Sequence, residues 1–219
     1  MSEKTVSTLS TKHIVISTAL IISVRLIALL CDRFVSQNAI ALMFAVNVCT
    51  AALIVYNWQL IDRHCGRIRG NLPDTLLFTV IGTAVFGLWT WISKDFLKAD
   101  LLLPEPLALI GIGYARPGML AAFSIMEACM VNIGFKNLTD HLNVRNRELQ
   151  AILFSAVLFG LLMTLLFTEP RPLLMLSTYL YWMIAVGILS YLYNQSHSII
   201  PGITAVTLVH LAVMILSII

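Results

Sequence analysis

Long apolar blocks alternate with short polar connectors along this 219-residue chain. Seven blocks, at approximately 13–31, 39–61, 75–93, 118–136, 150–168, 173–193 and 198–219, each match the roughly 20 residues a helix needs to cross a bilayer. The connectors are DRHCGRIRGNLPD (62–74), KNLTDHLNVRNRELQ (136–150) and TEPRP (168–172). Between the third and fourth blocks, LLLPEPLALIGIGYARP (101–117) is apolar but interrupted by Pro104, Pro106 and Pro117. It reads as an interfacial or re-entrant helix, or as an eighth short span. No internal repeat is visible, and no polar stretch is long enough to fold alone. The pattern predicts an all-α, polytopic transmembrane bundle of about seven or eight helices, with 1–219 as one integral membrane domain.

Composition agrees with the pattern. Hydrophobic residues make up 59% and charged residues 11% of the chain, and the mean hydropathy is +0.90. Soluble domains carry about 25% charged residues. The net charge of +3 comes from basic residues in short loops, where they set topology rather than bind nucleic acid. With the N-terminus inside, the cytoplasmic side holds Lys4, Lys12, Arg63, Arg67, Arg69, Lys136, Arg145 and Arg147. The outer side then holds Arg33, Lys94, Lys98, Arg116 and Arg171. Eight against five places the N-terminus in the cytoplasm of a multi-pass cell-membrane protein; an eighth span would return the C-terminus to the same side. MSEKTVSTLSTKH carries an acidic residue, and no cleavage signal follows its apolar run, so the first span is expected to be retained. Cys31, Cys49, Cys65 and Cys129 show neither a C-x-x-C pair nor metal spacing, and read as structural.

Polar residues within the spans are the candidates for a site, because each is expensive in hydrocarbon. They are Arg25, Asn47, Glu127, Asn132 and His210. Arg25 and Asn47 read as a snorkelling cation and as interhelical packing glue. Glu127 and His210 are different, being a carboxylate and an imidazole at mid-span. Buried together, such a pair would make a structural hydrogen bond, a proton relay, half a metal site or a general base. Two ligands are too few for a catalytic zinc, and no H-E-x-x-H, G-x-S-x-G, phosphate loop or aspartate pair is present. No cofactor or metal is expected.

The stretch LYNQSHSIIPGI and the histidine after it resemble the last motif of the CAAX protease and bacteriocin-processing (CPBP, or Abi) membrane family. Leu192, Tyr193, Ser198, Ile199, Pro201 and Ile203 match that motif, and His210 stands at its histidine. The asparagine four residues later is replaced by Met214. At the first motif, E-E-x-x-F-R-G, Glu127 takes the first glutamate, with Ala128, Val131, Asn132 and Ile133 at the second Glu, Phe, Arg and Gly. At the second, F-x-x-x-H, Phe159 matches and Met163 replaces the histidine. The resemblance covers roughly residues 118–214 and implies a CPBP-like core. In active members it implies a Glu/His pair that activates water, and a His/Asn pair that binds the oxyanion. Here only Glu127 as base and His210 as donor remain. Losing one oxyanion donor costs about 10²–10³ in rate, and several partners are missing together. The expected function is therefore a non-catalytic binding, scaffold or self-immunity protein that acts on another membrane protein or transmembrane peptide. The alternatives are an active intramembrane endopeptidase with Glu127 as base, and a small membrane transporter subunit.

Overall fold

The computed structural model describes residues 11–32, 38–99, 101, 117–142 and 148–216. The described residues form eight helices: α1 (Thr11–Asp32), α2 (Asn38–Tyr56), α3 (Trp58–Gly70), α4 (Leu72–Asp95), α5 (Pro117–Leu142), α6 (Glu148–Phe167), α7 (Pro172–Ser196) and α8 (Ile200–Leu216). Prolines sit in the first turns of four of them: Pro73 in α4, Pro117 in α5, Pro172 in α7 and Pro201 in α8. There a missing N–H costs nothing. The proline-broken segment 102–116 lies outside the described residues.

Five helices, α1, α4, α5, α6 and α7, are long and apolar enough to cross a membrane. The α2–α3 pair passes the same test only as a unit bent by 77°, and α8 is a shorter apolar helix of 17 residues. The protein is a multi-pass helical membrane protein. Its outer surface displays the large apolar side chains expected against lipid, among them Leu26, Val80, Leu88, Leu165 and Leu173.

The bend between α2 and α3 departs from the sequence expectation, which carried the second span to 61 and treated 62–74 as a connector. The helix instead breaks at Asn57, whose φ of −101° and ψ of 21° leave the helical region. The break is held by side chains: Asn57 Nδ2 donates to the Leu53 carbonyl at 2.8 Å, and Asn57 Oδ1 lies 2.8 Å from both His13 Nε2 and Asn137 Nδ2. Asn137 also reaches Ser17. Beyond the break, α3 carries Asp62, Arg63, His64 and Arg67 within 13 residues. That content does not suit hydrocarbon, which sets α3 apart from the apolar α2 and suits the membrane–water boundary.

α5 is the central helix and packs against α1, α2, α6 and α8. Glycines set the closest approaches. A Cβ on Gly160 of α6 would lie 3.2 Å from the Met183 backbone nitrogen of α7. A Cβ on Gly202 of α8 would run into Asn132 Oδ1 of α5. Small residues at such crossings let helices meet without a hydrophobic driving force.

Candidate functional site: a buried Glu–His–Tyr chain

Four helices meet around His210. α8 supplies the imidazole, α5 supplies Glu127, α7 supplies Tyr181, and α4 supplies Phe86 and Thr90. Glu127 Oε2 lies 2.8 Å from His210 Nδ1, and Tyr181 Oη lies 2.9 Å from His210 Nε2. Glu127, His210 and Tyr181 are each 0% exposed. In the arrangement that satisfies both contacts, Nδ1–H donates to the Glu127 carboxyl oxygen. The free lone pair of Nε2 then accepts from the Tyr181 hydroxyl. Phe86 packs against the imidazole with ring centroids 5.7 Å apart, and the Thr90 hydroxyl lies beside that of Tyr181. Trp182 meets Tyr181 edge-on at 5.0 Å, while Trp89 Nε1 donates to the Tyr181 carbonyl. This aromatic wall fixes the rotamer of the tyrosine and keeps the chain dry.

The two mid-span residues singled out by sequence are therefore in direct contact. The other candidates are not part of the chain. Asn132 Nδ2 donates to the Ala128 carbonyl of its own helix at 2.9 Å, and its oxygen abuts Gly202, so it packs the α5–α8 crossing. Met163 on α6 and Met214 on α8 are buried thioethers of the hydrophobic core. Arg25 is exposed on the outer face of α1 and Asn47 is half-buried on α2, in keeping with snorkelling and packing roles. Sequence reasoning missed Tyr181. One tyrosine in the aromatic run YLYWM carries no signal of its own, because tyrosine is at home on an apolar helix with or without a partner. It also missed the polar knot of His13, Ser17, Asn57 and Asn137, which lies at span ends where polar residues attract no notice.

The chain has one incomplete end. Glu127 Oε1 is buried without a hydrogen-bond partner, and so is the hydroxyl of Ser124 one turn earlier on α5. An unmatched carboxylate oxygen in a dry interior is costly, and it marks a position for a water or a donor group. Among the described residues, no three His, Cys, Asp or Glu side chains gather as a metal site. Two cavities lie in the bundle, and neither is lined by the Glu–His–Tyr chain. One is an apolar groove of about 540 Å³ facing outward between α4, α6 and α7. The other is a polar cavity of about 970 Å³ at the α1 N-terminal end of the bundle.

Fold and site together define a multi-pass helical membrane protein with a carboxylate–imidazole–phenol chain sealed at mid-bundle. No family model, curated protein or solved structure matches the chain.

Proposed function

We propose that this protein is a degenerate, CPBP-like membrane protein without peptidase activity, in which the Glu127–His210–Tyr181 chain clips three helices together and the bundle binds or scaffolds another membrane protein or transmembrane peptide. One observation carries the reading: both ring nitrogens of His210 are engaged by side chains of the protein, in a site that is 0% exposed. An oxyanion donor needs a free N–H aimed at the place where charge develops. Here the Nδ1–H serves Glu127, and Nε2 faces a tyrosine hydroxyl. Met163 and Met214, at the positions where the resemblance calls for a histidine and an asparagine, can neither move a proton nor stabilise an anion. The outward groove is apolar throughout its lining, from Ile81 on α4 to Tyr191 on α7, and suits a transmembrane segment rather than a polar solute.

The test follows membrane substrates. Tagged transmembrane and prenylated peptides are co-expressed with the wild type, Glu127→Gln or His210→Ala, and their fragments are compared on gels. The same fragment pattern in all three is expected. Cleavage that disappears in both variants would overturn the reading. It would favour the intramembrane endopeptidase, which draws its one support from the unpartnered Glu127 Oε1 as a seat for a hydrolytic water.

A further inference from the structure

The polar cavity at the α1 N-terminal end of the bundle has no part in the reading above. It is lined by Asp62, Arg63, His64 and Arg67 of α3, and by Lys136 and Asp140 of α5. Lys136 is only 5% exposed; its ammonium is paired with Asp140 and lies over the Tyr193 ring, 4.2 Å from the centroid. Arg63 and Arg67 are exposed and each spends one donor on the protein, Nε on the Gln59 carbonyl and Nη1 on the His197 carbonyl at 2.8 Å. A guanidinium has five N–H groups, so most of both forks remains available to a ligand.

His64 supplies the second observation. It is 3% exposed, yet its Nδ1 has no hydrogen-bond partner. Its other nitrogen faces the His197 backbone. A neutral imidazole carries one N–H; with that proton given to the backbone, Nδ1 is left as a buried acceptor waiting for a donor. The ring is held edge-on to Tyr193, with centroids 5.7 Å apart, so it cannot readily swing away to find one. His197 itself adopts a left-handed conformation, φ 53°, at the end of α7, which aims its carbonyl at α3.

We propose that this cavity binds a hydroxyl-bearing phosphate ester at the membrane face. Arg63, Arg67 and Lys136 hold the phosphate oxygens, and His64 Nδ1 accepts a hydrogen bond from a ligand hydroxyl. Phosphate suits the planar, forked guanidinium better than a single point charge would. The position suits an anionic lipid headgroup: α3 carries the charged content of a membrane–water boundary helix, and Tyr56 and Trp58 of the same cavity are aromatic residues of the kind that anchor at headgroup level. A soluble polyol phosphate offers the same chemistry.

The test uses the purified full chain in a neutral detergent. Binding is read from the thermal-unfolding midpoint during titration with dihexanoyl phosphatidylglycerol, dihexanoyl phosphatidic acid, dihexanoyl phosphatidylcholine or glycerol 3-phosphate. Saturable stabilisation by phosphatidylglycerol is expected, with phosphatidylcholine inert. Removing a charge-assisted contact weakens binding about tenfold or more, so the Arg63→Gln/Arg67→Gln double variant should lose at least that factor while its unliganded midpoint stays close to the wild type. In His64→Phe, phosphatidylglycerol should lose its advantage over phosphatidic acid, whose head carries no alcohol. Competition by glycerol 3-phosphate alone assigns the site to a soluble ester, and its failure to compete assigns it to the lipid. Equal response to phosphatidylcholine, or unchanged phosphatidylglycerol affinity in the double arginine variant, overturns the proposal.

Discussion

The two polar regions of this bundle are built to opposite rules. At mid-bundle, three ionisable or polar side chains from three helices close on one another, with ring faces around them and no described cavity touching them. At the end of the bundle, cations and anions line an open cavity, and several of their donors are turned outward. The first arrangement costs a great deal if one member is removed and admits little from outside. The second costs little to alter and is open to a ligand. Burial of a polar group is therefore a poor guide to activity in a membrane bundle; what matters is whether a hydrogen-bonding direction is left free.

The sharpest way to break the contrast is to remove one member of the sealed chain. Glu127→Ala leaves the Nδ1–H of His210 unmatched in a dry interior and opens a cavity beside it, which together cost about 3–5 kcal/mol. A loss of that size is expected in the thermal unfolding of the detergent-solubilised protein. Glu127→Gln, which keeps the shape and one acceptor, should lose only about 1 kcal/mol. Equal and small losses in both would mean that the chain does not hold the helices together.

A second strain on the sealed region comes from its packing rather than its polarity. Gly202→Ala places a methyl against Asn132 Oδ1 where α8 crosses α5, two turns from His210. Overpacking of this kind costs about 1–3 kcal/mol. Combined with Asn132→Ala, which clears the space, part of that loss should return; a strictly additive double variant would show that the two do not meet. Tyr181→Phe is milder. It removes the hydroxyl from Nε2 but keeps the ring packed between Phe86 and Trp182, so about 1 kcal/mol is expected. Changes to the open cavity such as Arg67→Gln fall below this, because exposed pairs contribute about 0–1 kcal/mol.

The same contrast explains how much was legible in sequence. Seven apolar segments stood out because hydrocarbon thickness sets their length; six correspond to one helix each, the second is broken at Asn57, and five of the helices are long and apolar enough to cross a membrane. Glu127 and His210 stood out because mid-span charge is rare. Their contact did not follow from spacing, since 83 positions separate them and only the packing of α8 on α5 brings them together. Tyr181 was invisible for the opposite reason: its hydroxyl is a small part of a side chain that an apolar helix tolerates anywhere. The break at Asn57 was missed because the apolar pattern continues through Trp58, Leu60 and Ile61. It is set by side-chain bonds from α1 and α5, which no local pattern contains.

The open end offers the gentlest probe, because it leaves the protein untouched at neutral pH. Burial, with the nearby cations Arg67, Lys136 and Arg63 adding to it, holds His64 down from 6.5 to about 4, while its bond to the His197 backbone pulls weakly the other way. Asp62 and Asp140 also line the cavity. A histidine whose folded value lies below its unfolded value binds fewer protons when folded across that interval. Its contribution is therefore flat above about 6.5, and stability declines as the pH falls from there toward about 4. In His64→Phe, which keeps the edge-on ring against Tyr193, the decline should be shallower, measured as unfolding midpoints from pH 7 down to pH 4.5. An identical decline in both proteins would assign the acid sensitivity to other groups and would remove His64 as the neutral, unpartnered acceptor on which the open cavity's selectivity depends.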